Sequence, residues 1–186
     1  MSNWVITART GESPLSLANA KANLKVEHAD EDTLIQAKID AAYTYLESFL
    51  GVILNEATVN EYFDGWPAVE YFELRFKDVS SQVVTYYDTD NAEQTYSTDN
   101  YSLDDIHEPA RIIKNPELTW PDLVVKKHSV KVAYTAGYAS ASVVPARIIE
   151  AIQLMVADAY ERREDRAFRF KPQSEYYSEL DRLWAF

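Results

Sequence analysis

One short stretch of the sequence combines several side chains that could bind a metal ion. Four possible ligands fall within five residues: Asp104, Asp105, His107 and Glu108. Side chains two positions apart on a strand share a face, so Asp105 and His107 could reach one ion. The simpler interpretation is a solvated acidic loop before Pro109, because the surrounding sequence is rich in acids. We favour the loop and expect no metal site; the alternative is a small metal- or ligand-binding module or enzyme using Asp105 and His107.

Other signatures of catalysis are missing from the sequence. A nucleophilic triad needs a Ser or Cys beside a His and an acid, yet the chain has no Gly-x-Ser-x-Gly motif and no cysteine. It also has neither a Gly-x-Gly-x-x-Gly fingerprint nor a phosphate-binding loop. Without cysteine there can be no disulfide scaffold, thiolate metal site or iron–sulfur cluster. We therefore expect no catalytic residue and no cofactor, and a regulatory ligand-binding domain has no motif to support it.

A run of arginines and aromatic residues near the C-terminus is the best candidate for a protein interface. Such residues are enriched at binding surfaces. Trp184 and Phe186 are large aromatic residues close to the chain end, and we expect them to pack against a surface because a frayed end would leave them in solvent. The alternative is a helix end whose cations offset the helix dipole and pair with nearby acids. Nucleic-acid binding is disfavoured because the intermixed acids weaken any positive field. The candidate interface residues are Arg162, Arg163, Arg166, Phe168, Phe170, Trp184 and Phe186.

The overall composition predicts a soluble acidic domain with a proper core. Apolar residues make up 47% of the 186 residues, which is enough to bury a core. Eighteen Lys and Arg stand against thirty Asp and Glu, a net charge of −12 that disfavours a sequence-independent DNA clamp. The longest nearly apolar run, residues 41–54, contains Glu47 and is shorter than the ~20 residues of a membrane span. We expect no membrane association.

Two helices are predicted near the N-terminus. Ser16 is a good N-cap for a short helix over residues 17–24. Asp30 or Asp32 caps a longer helix, which Gly51 ends. The apolar stripe of this second helix advances by steps of three and four, as a buried helix face requires, and consists of Ile35, Ile39, Ala42, Leu46 and Phe49.

Two more helices are predicted in the last third of the chain. Pro145 suits a first helical position, and the helix should run to about Arg163. Its apolar stripe is Ile148, Ile152, Met155 and Ala159, widened by Ile149, Val156 and Tyr160. After Pro172 comes a short amphipathic helix that includes Tyr176, Tyr177, Leu180, Leu183 and Trp184. We expect the helix after Pro145 to pack against the second N-terminal helix, because both would otherwise expose wide apolar faces.

The middle of the chain changes to the two-residue period of strands. Residues 72–76 and 130–134 alternate between apolar and polar, and a turn at 88–92 separates predicted strands at 83–87 and 94–103. Three prolines, at 109, 116 and 121, restrict the strands between them. We expect an α+β fold: a mainly helical bundle from residues 1–56 and 145–186 that carries a small antiparallel β insertion at 57–144.

Five stretches of the chain match, in order, the pattern of one protein family. They are 17–26 (LANAKANLKV) with the acids at 30–32 and the helix end at 45–51 (YLESFLG), then 86–88 (YYD), 120–121 (WP), 130–138 (VKVAYTAGY), and 144–152 (VPARIIEAI) continuing to 160–164 (YERRE). This ordered set resembles the head–tail connector, or head-completion adaptor, proteins of tailed bacteriophages and prophages. The long aromatic C-terminus departs from that pattern.

The resemblance implies a structural role without catalytic residues or cofactors. Its implied partners are the portal protein, neighbouring connector subunits in a ring of about a dozen copies, and the next head-completion or tail protein. Genomic DNA would pass through the ring's channel without specific binding, and an acidic wall would repel its phosphates and let it slide. The implied location is the head–tail interface of the virion, after synthesis in the cytoplasm of the bacterial host.

Overall fold

The chain folds into two compact units, each assembled from separate segments of the sequence. The computed structural model describes residues 3–11 and 13–162. One unit, called the sheet unit here, contains the described residues up to 10 together with 56–137. The other, called the helical unit, contains the described residues of 11–55 and those from 138 onward. Neither unit is continuous in sequence.

Three α-helices build the helical unit: α1 (Leu17–Leu24), α2 (Asp32–Leu50) and α3 (Ala146–Glu161). Ser16 caps α1 as predicted, since its side chain accepts a hydrogen bond of 3.2 Å from the N–H of Asn19. Gly51 ends α2 as predicted, in the left-handed conformation with φ 68°. The predicted cap of α2 is wrong: Glu31 takes that position, and its side chain makes no capping hydrogen bond, while Asp32, in the first turn, pairs with Lys21.

The core of the helical unit lies where α2 meets α3, which confirms the predicted pairing of these helices. Buried apolar residues of both helices belong to one cluster, including Ile35, Ile39, Leu46, Ile148 and Ile152. Val156, which was predicted to widen the stripe of α3, is buried with Ile148 and Ile152. The stripe differs from the prediction at Ala151, which is also buried, and at Met155, which packs against the cluster only partly buried. No helix in residues 3–11 and 13–162 is long and apolar enough to cross a bilayer.

Two antiparallel sheets build the sheet unit. The five-stranded sheet has the order β1-β2-β8-β4-β5 and the three-stranded sheet the order β3-β7-β6. Their strands are β1 (Asn3–Arg9), β2 (Ala57–Phe63), β3 (Tyr71–Glu73), β4 (Val79–Tyr87), β5 (Glu93–Tyr96), β6 (Tyr101–Asp104), β7 (Arg111–Lys114) and β8 (Val130–Ala136). β8 is central and pairs with β2 on one side and β4 on the other.

The expectation of a mainly helical bundle with a small β insertion is wrong. Of the described residues, 28% are in strands and 31% in helices, so neither class dominates. Part of the error is β1, a strand in a region predicted to be helical. Its residues are mostly exposed on both faces, so its sequence lacks the alternation that marks a half-buried strand. Its partner β2 lies about fifty residues further along the chain.

A second difference concerns the predicted strand over residues 94–103, which is broken in the structure. A short 3₁₀ turn at Thr98–Asn100 separates β5 from β6, and the side chain of Ser97 accepts a hydrogen bond from the N–H of Asp99. Such local side-chain bonds compete with strand pairing. As a result, β5 ends the five-stranded sheet and β6 joins the other sheet.

Candidate functional site

The acidic stretch that could have bound a metal forms the loop between β6 and β7. We call residues 104–108 the acidic loop. Oδ1 of Asp104 accepts a hydrogen bond of 3.2 Å from the N–H of His107, and Nδ1 of His107 lies 3.3 Å from the carbonyl oxygen of Pro109. Both side chains therefore stabilise the turn itself. Across the part of the chain that the structure describes, no three His, Asp or Glu side chains are grouped so as to hold a metal ion.

Two residues at the tip of the acidic loop are free to meet a partner. Asp105 is exposed and its side chain bonds to no described residue. Ile106 is 91% exposed, so nearly all of its apolar side chain is in contact with solvent. Glu108 ties the loop to the segment before β4, since its Oε1 lies 3.6 Å from Nζ of Lys77.

Arg162 is the one candidate interface residue within the described residues. It follows the last residue of α3, and its Nη1 lies 3.3 Å from Oδ1 of Asp158. Its N–H also donates a hydrogen bond of 2.9 Å to the carbonyl of Asp158. Arg162 is therefore a cation at a helix end that pairs with a nearby acid, as the alternative to a protein interface predicted. The other six lie outside the described residues: Arg163, Arg166, Phe168, Phe170, Trp184 and Phe186.

A concave surface of basic residues lies at one end of the five-stranded sheet, where β2 and β4 end and β8 begins. We call this hollow of about 360 Å³ the basic hollow. The residues that line it are Tyr62, Tyr87, Glu93, Lys126, Lys127, His128 and Lys131. Three lysines against one glutamate give this lining a net charge of about +2, without counting His128, in a chain of net charge −12.

Two of the three lysines are held in place by neighbouring strands. Nζ of Lys126 lies 2.7 Å from Oδ1 of Asn91 and 3.0 Å from the centre of the Tyr87 ring, a cation–π contact. Nζ of Lys131 lies 2.9 Å from Oε1 of Glu93, and this hydrogen bond is the main reason why the pKa of Glu93 is lowered. Neither lysine is free to swing away from the hollow without losing these contacts.

Lys127 differs from the other two lysines because it is exposed and its side chain bonds to no described residue. Its position depends on the tight turn at His128, which has φ 59°. Asp64 stabilises this turn: its Oδ1 accepts the N–H of His128 at 2.9 Å, and its carbonyl accepts the hydroxyl of Ser129 at 2.8 Å. The turn therefore presents one uncommitted positive charge at the rim of the hollow.

The basic hollow was not predicted, although the sequence contains one signal of it. Three of the seven Lys and Arg residues between positions 51 and 144 fall at 126, 127 and 131. The tyrosines and Asp64 come from strand ends about 40 to 65 residues earlier, so only the pairing of β2 and β4 with β8 brings them to the lysines. A local pattern could have located the charge but not the concave shape.

The acidic loop and the basic hollow lie at opposite ends of β8. The hollow is beside Val130, the first residue of β8, which pairs with Tyr86. The loop adjoins Lys77, just before Val79, and Val79 pairs with Ala136, the last residue of β8. A strand rises by about 3.3 Å per residue, so the two features are on the order of 20 Å apart.

Strand β1 is a further exposed element of the sheet unit. It is an edge strand that pairs only with β2 among the described strands. Trp4 and Val5 are 44% and 53% exposed, although the Trp4 ring makes an edge-on contact with Phe76 at 5.2 Å. An open edge with exposed apolar side chains is typical of a strand that meets another protein.

Comparison with known proteins finds one matching family model and several solved structures of similar fold. The model of the phage gp6-like head-tail connector protein family matches residues 14–115. A chain in the virion of a native gene transfer agent particle superposes with a TM-score of 0.81 and 18% identity, over 98% of this chain and 96% of that one. No curated protein matches.

Two further similar structures come from particle necks. One is a chain in the neck of an empty gene transfer agent particle computed with C6 symmetry, and the other a chain in the neck of a native particle computed with C12 symmetry. Each has a TM-score of 0.77 and 21% identity, over 100% of this chain and 97% of that one. At such identities the likeness establishes a common fold. The match to the family model covers more than half of the sequence, and the chain therefore belongs to the phage gp6-like head-tail connector family.

Proposed function

We propose that this structural head–tail connector forms a closed ring of about a dozen copies in the neck of a phage-like particle. In that ring it docks under the portal protein, extends the channel for DNA and offers a platform to the next tail component. The main support is that its fold agrees, over essentially its whole length, with chains from necks, one of them computed with C12 symmetry.

The charge of the chain is compatible with a channel through which DNA must slide. A net charge of −12 per subunit, repeated around a ring, repels phosphates and disfavours sequence-independent binding. A wall that bound the DNA backbone tightly would hinder its passage. We therefore propose that DNA passes the connector without specific binding.

The C-terminal segment is our proposed contact with the portal or a neighbouring subunit. Its arginines and aromatics are the residue types that dominate binding energy at interfaces. We propose Trp184 and Phe186 as anchors and the arginines at 163 and 166 as partners of an acidic rim. Arg162 is left out of this proposal, because it is paired with Asp158.

A genetic depletion tests the proposed function. Particles made without this protein should accumulate as heads and separate tails, because the component that joins them is missing. Supplying the wild-type chain should restore tailed particles, and so should Thr33→Ala, a change at an exposed position of α2. Normal numbers of tailed, infectious particles in the absence of the chain would show that the proposal is wrong.

A further inference from the structure

We infer that the basic hollow of one subunit binds the acidic loop of the neighbouring copy of this chain. This inference rests on the proposed function, in that it assumes a ring. It assigns a role to two features of the sheet unit that the internal contacts of the subunit leave unexplained: an uncommitted lysine at the rim of the hollow and an acidic loop that exposes an isoleucine.

The placement of the two features suits a ring. A closed ring is built from head-to-tail contacts, in which one surface of each subunit meets a different surface of the next. The two surfaces must therefore lie on different sides of the subunit. The hollow is beside Val130 and the loop is near Ala136, at the two ends of the central strand of the sheet unit. A two-fold dimer has no need of such an arrangement.

The charges of the two features are complementary. The lining of the hollow carries about +2, and the acidic loop carries three carboxylates, on Asp104, Asp105 and Glu108. Lys127 and Asp105 are both exposed and bond to no described residue. They can therefore pair across the interface without breaking an ion pair among the described residues of either subunit. Opposite patches of this kind give an interface its register and suppress wrong partners.

The apolar contact explains why we infer a protein and not a phosphate as the occupant. Ile106 at the tip of the loop is 91% exposed. The hollow has two aromatic rings in its wall, Tyr62 and Tyr87. An isoleucine packed against the exposed parts of these rings buries apolar area on both sides. A phosphate would use only the lysines, and Glu93 in the same wall would repel it.

A charge exchange in full-length protein tests the inference in particles. Lys127→Glu or Asp105→Lys alone places like charges together at every subunit contact, and we expect each to lower the yield of tailed particles at least tenfold. The double variant restores opposite charges, and its yield should return to within about threefold of wild type. Glu117→Lys, an equal change of charge at another exposed site of the sheet unit, should behave like wild type. The inference would be overturned if the double variant lost as much of the yield of tailed particles as the single variants do.

Cross-linking provides an independent measurement, because the chain contains no cysteine. A Lys127→Cys, Asp105→Cys variant treated in particles with a short bis-maleimide should form a ladder of covalent multimers up to the full ring. Lys127→Cys with Glu117→Cys should not. A ring that is present in the neck but yields no ladder would overturn this inference and leave the proposed function intact. If no ring is present in the neck, the proposed function itself fails. Weaker binding of duplex DNA by Lys127→Glu, without a ladder, would assign the hollow to phosphate and also overturn the inference.

Discussion

The hydroxyl of Tyr134 donates a hydrogen bond of 2.9 Å to Oε2 of Glu61 in the interior of the sheet unit. The same oxygen accepts the N–H of Arg75 at 3.0 Å, and both Glu61 and Tyr134 are at most 1% exposed. Burial, together with the charge of Glu61, raises the pKa of Tyr134 far above its ordinary value. The contact links β2 to β8, the central strand of the five-stranded sheet, at whose beginning the basic hollow lies.

We expect Tyr134→Phe to lower the free energy of unfolding by about 1–3 kcal/mol, because it leaves a buried carboxylate short of one donor. Tyr96→Phe is the matched control. The hydroxyl of Tyr96 is buried and has no hydrogen-bond partner among the described residues, so its removal should be neutral or slightly stabilising. Urea denaturation, monitored by circular dichroism, measures the free energy of unfolding of both variants. Equal decreases in the free energy of unfolding for the two variants would mean that the hydrogen bond to Glu61 makes no specific contribution to stability.

Alkaline pH should destabilise the sheet unit through its buried tyrosines. The pKa of Tyr134 is raised by burial, and burial also raises the pKa values of Tyr96 and Tyr101. A group whose pKa is higher in the folded state than in the unfolded state contributes its full stabilisation when the pH is below its unfolded pKa, which is 10.0 for tyrosine. As the pH rises above that value, this contribution to the free energy of unfolding is lost. Wild-type stability should therefore fall above about pH 10, and less steeply in Tyr134→Phe. Parallel pH profiles for the two proteins would contradict this account.

The helical unit should be sensitive to cavities between α2 and α3. Leu46 and Ile152 are at most 1% exposed and belong to the same cluster. Changing either residue to Ala should cost about 2–5 kcal/mol. Thr33→Ala, on the exposed side of α2, should stay within about 0.5 kcal/mol of wild type. Thermal unfolding distinguishes them, and small, equal effects at all three sites would mean that the helix faces are misassigned.

Removing residues 173–186 should separate folding from assembly. If this segment binds the portal or a neighbour, the truncated protein keeps the melting temperature of the full chain but no longer joins heads to tails. Calorimetry of the isolated protein and electron microscopy of particles measure the two effects. Unfolding of the truncated protein would show that the segment belongs to the subunit core, and its proposed role in docking would then be wrong.

The elements that could be predicted from the sequence are those whose signals are local. Ser16 and Gly51 mark the ends of helices through their own backbone and side-chain chemistry, and the apolar stripe of α2 needs only its own residues. Likewise, alternation over β8 predicted a strand that proved to be central. The resemblance to the connector family also depended on several local patterns in order, and the family model matches residues 14–115.

The features that escaped prediction depend on distant pairing. β1 is exposed on both faces and becomes a strand only beside β2. The basic hollow needs Tyr62 and Asp64 at the end of β2 to meet lysines more than sixty residues later. Tertiary contacts of this kind override or create structure that a local pattern cannot specify. The prediction of a mainly helical bundle was wrong for the same reason, because the strand content depends on pairing between distant segments.

The most direct test of the connector assignment is a cryo-electron microscopy reconstruction of the head–tail junction in particles that contain this protein. We predict a closed ring of about a dozen copies between portal and tail, built from head-to-tail contacts, with the acidic loop of each subunit facing the basic hollow of the next. The protein's absence from the junction, or its presence only as two-fold dimers, would contradict the account.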